Sequence, residues 1–150
     1  MASEKQNNSV LYIVAGLAIL FGVLTVVSGG RVLFGGEATK AAAGNVVPFV
    51  LWFNFLSGFV YVAAGAGIAL HEDWGSKLAM GLAIAIVAVF AVFGWHVFTG
   101  GAYEPRTVGA MLLRSAVWIG IAIYVQRRAS TMPFKPRPFS RLANRHDRQK

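Results

Sequence analysis

The sequence predicts an all-α integral membrane protein, a four-helix bundle running up-down-up-down with both termini in the cytoplasm. Three observations carry that expectation. Charged residues make up only 13% of the 150 residues, about half of the roughly 25% usual in a soluble domain. They are also segregated. Val10 to Gly30 and Ala41 to Leu70 contain none, Leu78 to Gly101 contains His96 alone, and Thr107 to Gln126 contains Arg114 alone. Each run is about as long as the ~20 residues a helix needs to cross a bilayer core. Finally, none of the runs carries the polar stripe that a soluble bundle helix presents to water.

The expected spans are 10–30, 46–70, 78–99 and 107–126, flanked by a cytoplasmic segment 1–9 and a basic cytoplasmic tail 127–150. The first run has 21 residues. That exceeds the 7–15 of a signal-peptide core, so an uncleaved first helix is expected. Gly29-Gly30 and Gly35-Gly36 punctuate the first connection. Pro48 opens the second helix, where its missing N–H does least harm. The connection "HEDWGSK" is short, so helices two and three should form a tight antiparallel pair. "TGGAYEPR" is also short; Pro105 suits the first turn of helix four, with Glu104 near its positive dipole end.

Lipid offers helices no hydrophobic reason to associate, so close packing must hold them together. Each span has small residues four apart: Ala18 and Gly22, Ala63 and Gly67, Ala79 and Ala83, Ala116 and Gly120. They point to a compact bundle. Tyr12, Trp52, Trp74, Trp95 and Tyr124 fall near span ends, as interfacial aromatics do.

Lysine and arginine set the orientation. Lys5, Lys77 and eight residues of the tail make ten on one side, against Arg31, Lys40 and Arg106 on the other. The side with ten is the cytoplasm, and the first and third connections face outward. The membrane is then the bacterial inner (plasma) membrane.

Orientation places a polar cluster in the outer half of the bundle. Helix three rises to His96 near its outer end. Arg114 lies about 10 Å inward along helix four at 1.5 Å per residue, and Asn54 on helix two lies at a similar depth. Asn54, His96, Tyr103, Glu104, Arg106 and Arg114 are therefore the candidate site. A charge inside a span costs about 2.5–3.5 kcal/mol on insertion scales. Arg114 must offset this by pairing with Glu104, bonding Asn54 or snorkelling outward. Two readings stand: an anion-accepting or quinone-facing pocket, and a structural tie between helices. Asn54 alone is a simple interhelical bridge worth about 0.6 kcal/mol.

Several chemistries are excluded. There is no cysteine, so there are no thiolate sites. His71, Glu72 and Asp73 are adjacent on a turn and point in different directions, so they make no metal site. Haem by two histidines within one chain is not expected, because His71 belongs to the opposite surface from His96. No paired carboxylates, catalytic triad or phosphate loop is present. An enzyme is not the expected class, and no cofactor follows from these residues; quinone is the alternative ligand.

The tail carries eight basic side chains against Asp147. Directly after a span, the partner this implies is the anionic cytoplasmic leaflet, at about 1 kcal/mol per Lys or Arg near it. Arg127, Arg128, Lys135, Arg137 and Arg141 are the contact candidates, for lipid or a protein partner, with no nucleic acid expected.

Three segments resemble one family. "GLAILFGVLTVVSGGRVLFGG", "NFLSGFVYVAAGAGI" and "AIAIVAVFAVFGWHVFTGGAYE" are similar to the first three spans of DoxX-like proteins, small four-helix membrane proteins of similar length. The resemblance covers about residues 10–125. Asn54 stands where members often carry an acidic residue, and the basic tail is longer. It implies the four-helix architecture, with His96 and Glu104 as an outer-half site. Some members are associated with thiosulfate oxidation coupled to quinone.

The expected function is an accessory or assembly subunit of a larger membrane complex, joined to other subunits or to its own copies. The alternatives are a DoxX-like quinone-linked oxidoreductase subunit and a small oligomeric transporter or channel.

Overall fold

The computed structural model describes residues 2–131. Among them are five helices and no strand: α1 Ala2–Phe34, α2 Glu37–Ala43, α3 Pro48–Ala69, α4 Asp73–Phe98 and α5 Pro105–Thr131. Four are long and apolar enough to cross a membrane, over Ser9–Phe34, Pro48–Ala69, Asp73–Phe98 and Pro105–Ser130. Only 28–33% of the most apolar stretch of each is buried inside the protein. Most of the apolar surface therefore faces outward and calls for a non-aqueous surrounding.

α1 and α5 overrun their charge-free runs at both ends and α4 at its start, whereas α3 lies within its own. α1 passes straight through Gly29-Gly30, which the sequence marks as a turn. Those glycines serve close packing instead: a Cβ on Gly29 would come within 3.2 Å of Phe55, and one on Gly30 within 3.4 Å. The first connection holds the extra short helix α2, which buries none of its residues. Pro48 and Pro105 stand at the first positions of α3 and α5, as expected. α3 ends with His71 in the left-handed region at φ 58°. The Glu72 N–H donates to the Gly67 carbonyl at 2.9 Å and the His71 N–H to Ile68 at 3.1 Å, a Schellman closure. The His71 ring rests edge-on against Tyr12, 5.6 Å between centroids.

α1 packs most extensively on α3, α3 then on α4, and α4 on α5. Glycine lets α1 and α3 touch backbone to backbone. A Cβ on Gly22 would meet the Gly58 carbonyl oxygen at 2.8 Å; one on Gly65 would meet the Ala15 oxygen at 2.9 Å. Contacts on α3 thus retreat from Gly65 to Phe55 as α1 advances from Ala15 to Gly29. Gly67 and Gly75 bring α3 and α4 together in the same way.

Ala18, Gly67, Ala79 and Ala83 are buried, as close packing requires. The pair on α5 behaves differently. Ala116 and Gly120 are exposed, and a Cβ on Gly120 would meet nothing within 4 Å. α5 buries Met111, Ser115, Trp118, Ala122 and Val125 instead. The Trp118 ring packs on Tyr61 of α3, and the rotation of α5 that turns it inward leaves Ala116 and Gly120 on the outer face. Tyr124 packs against the core with its hydroxyl buried.

The apolar interior comes in two parts. A larger core joins Ala15 and Ala18 of α1, Tyr61 and Ala64 of α3, Ala79 and Ile86 of α4, and Trp118 and Val125 of α5, among others. A smaller core joins Val47, Val50, Phe93 and Met111. On α3 the positions between the two are Asn54 and Ser57; on α5 they are Arg114 and Ser115.

Candidate functional site

The six candidate residues fall into two groups. The first lies at the ends of the helices. Glu104 immediately precedes α5, and its backbone carbonyl accepts the Thr107 N–H at 2.9 Å. Its side chain, 22% exposed, reaches across to the α2–α3 connection, where Oε1 accepts the Asn45 backbone N–H at 3.0 Å. Gly44 makes room: at φ 73° it adopts a conformation that favours glycine, and a Cβ there would collide with the Glu104 carboxylate. Arg106 Nη2 donates to the Ala42 carbonyl at 3.4 Å and sits 3.9 Å from Glu104 Oε2. Arg106 remains 77% exposed, so its share in stability is small. Together the two residues clasp the α2–α3 connection to the start of α5.

His96 belongs to the same end. Its Nε2–H donates to the Ala102 carbonyl at 3.3 Å, which requires the proton on Nε2 because a carbonyl only accepts. Gly101 lies against the imidazole so closely that a Cβ would overlap it. Phe49 meets the ring edge-on at 6.4 Å. Tyr103 packs edge-on against Phe93 at 6.3 Å. His96 is thus held by the turn that follows its own helix, and no described group of three His, Cys, Asp or Glu residues is placed to hold a metal.

The second group lies inside the bundle. Arg114 stands nine residues into α5, about 13 Å along its axis. No carboxylate among the described residues lies within ion-pair distance of it. Glu104, the partner considered from sequence, is engaged with Asn45 and Arg106 instead. The Arg114 Nη1–H points to the Met111 sulfur at 3.9 Å, a weak acceptor. On the same face of α5, one turn further on, Trp118 packs against Tyr61 of α3. Arg114 Nε and Asn54 Oδ1 are buried without a hydrogen-bond partner.

Sequence reasoning left Tyr61 and Trp118 out of the site. Both are 0% exposed, and Tyr61 Oη and Trp118 Nε1 also lack a partner. Ser57 lies alongside the Tyr61 hydroxyl, yet outside hydrogen-bonding geometry. The signal was present: Asn54, Ser57 and Tyr61 are spaced three and four apart, a single face of α3, as Arg114 and Trp118 share a face of α5. Of the basic residues, Arg127 and Arg128 lie in the last turns of α5. Lys135, Arg137 and Arg141 lie outside the described residues.

Set against known protein families, curated proteins and solved structures, the chain has no significant match.

Proposed function

We propose that this chain is a small multi-pass protein of a bacterial inner membrane, crossing it four times up-down-up-down with both termini in the cytoplasm. It works there as an accessory or assembly subunit of a larger membrane complex. Arg127, Arg128 and the basic residues beyond them hold the cytoplasmic end against anionic lipid.

One observation carries the subunit reading. Gly81 and Gly94 of α4 and Gly109 and Gly120 of α5 are helical glycines whose added Cβ would meet nothing within 4 Å. Each costs its helix about 1 kcal/mol relative to alanine. Inside the fold, Gly22, Gly58 and Gly65 offset that cost by close contact. The outward four have no such contact within the chain; a fifth open glycine, Gly16, stands alone on α1. Small residues on an outer helix face allow a neighbouring membrane helix to approach closely, so the α4–α5 side is the docking side. Purification from native membranes in mild detergent should bring down a larger assembly. Replacing Gly109 and Gly120 with leucine should release it without lowering the melting temperature. A clean monomer from the native membrane would end this reading.

A quinone-linked role of the DoxX-like kind is the second reading, favoured by the aromatic pair Tyr61 and Trp118 beside Arg114. A stoichiometric quinone in the lipid extract of the native preparation supports it, and a quinone-free extract sets it aside.

A further inference from the structure

Between the two apolar cores α3 and α5 carry polar residues, while α4 runs apolar from one core to the other. Asn54 and Ser57 stand between the cores on α3, and Arg114 on α5. On the side of the larger core this polar patch is floored by three rings: Phe21 stacks on Tyr61 at 6.0 Å, and Tyr61 on Trp118 at 4.6 Å. Four polar atoms along this patch have no partner: Asn54 Oδ1, Tyr61 Oη, Arg114 Nε and Trp118 Nε1. Three of the four carry N–H or O–H donors, and one of those bears a full charge. Asn54 can also present its NH2 by turning its amide. The surplus is of donors and positive charge, and no carboxylate of the described residues answers it.

We infer that the polar patch binds an anionic oxygen group, a carboxylate or a phosphate. Arg114 supplies the cation, and the Tyr61 hydroxyl and Trp118 indole N–H supply neutral donors. A fully buried donor without an acceptor is costly, and one anionic group with several lone pairs satisfies all three at once. The same chemistry is offered by a free inorganic anion entering from the end that carries His96 and Glu104. It is offered equally by the headgroup of an anionic amphiphile entering sideways from lipid. The inference is independent of the subunit reading, since it uses the interior of the bundle and not its outer face.

The experiment uses the full chain in nanodiscs of neutral lipid. Trp52, Trp74 and Trp95 are replaced by phenylalanine, so that Trp118, the fourth of the four tryptophans, alone emits. Inorganic phosphate, oleate and phosphatidylglycerol are titrated separately. A saturable change in Trp118 emission is expected with at least one. A response to phosphate assigns the free anion; a response only to oleate or phosphatidylglycerol assigns the amphiphile. Arg114→Gln should weaken binding by more than about tenfold, and Tyr61→Phe by about tenfold. No saturable response to any of the three overturns the inference, as does equal affinity in Arg114→Gln. Should Arg114→Gln fail to fold, Tyr61→Phe decides: unchanged affinity in a variant that melts no lower than the parent overturns it.

Discussion

Tyr61 and Trp118 lie ring against ring across the α3–α5 interface, 4.6 Å between centroids and inclined by 38°. Both are fully buried, and neither polar tip has a partner. Their apolar bodies complete the larger core, while their hydroxyl and indole N–H remain unanswered within the chain. Tyr61→Phe keeps the ring and removes the unpaired hydroxyl. In neutral detergent this variant should be more stable than the parent by about 1 kcal/mol, since an unsatisfied buried donor costs about 1–3 kcal/mol. Thermal unfolding followed by circular dichroism measures it. A clear loss of stability would mean the hydroxyl has an acceptor after all.

Two glycines to alanine should part company. On Gly58 a Cβ would come within 2.6 Å of Val26 and 3.0 Å of the Gly22 carbonyl oxygen, which is backbone and cannot swing away. Gly58→Ala should therefore destabilise by about 1–3 kcal/mol through overpacking. Gly120→Ala meets open space and should stabilise isolated α5 by up to about 1 kcal/mol. Equal effects at the two sites would contradict the α1–α3 register described above.

The Glu104 clasp is a local prediction. Glu104→Ala removes the acceptor of the Asn45 N–H, and the loss should be about 1–2 kcal/mol, the lower part of the range for charge-assisted bonds because the side chain is partly exposed. Amide exchange at Asn45 should quicken while exchange in the middle of α3 stays slow. Arg106→Ala should cost less than about 1 kcal/mol, because that side chain is mostly exposed. A global rise in exchange after Glu104→Ala would show that the clasp holds the bundle and not only the connection.

Topology can be read with single cysteines, because the chain has none of its own. Lys40→Cys should react with a membrane-impermeant maleimide in intact spheroplasts. Lys77→Cys should react only after lysis. Both positions are exposed, so a failure to label reports the membrane and not burial. The reverse pattern would invert the orientation proposed from lysine and arginine.

The spans were legible in the sequence because crossing a bilayer is a one-dimensional demand. Twenty apolar residues in a row announce it whatever their neighbours are. Pro48 and Pro105 marked helix starts for an equally local reason, a missing N–H and a preset φ. Gly29-Gly30 misled because glycine answers two needs, a turn or a close approach, and only the arrival of Phe55 from α3 distinguishes them. The same ambiguity placed Ala116 and Gly120 inside, when the rotation of α5 that turns Trp118 inward leaves them outside. The candidate cluster shared an approximate depth, which residue counting supplies. Which side chains meet depends on helix rotation, which counting does not supply. Tertiary structure alone decided that Glu104 turns to Asn45, that Tyr61 meets Trp118, and that Arg114 is left without a carboxylate among the described residues. Those outcomes rest on contacts between residues tens of positions apart, whose geometry exists only once the helices have packed.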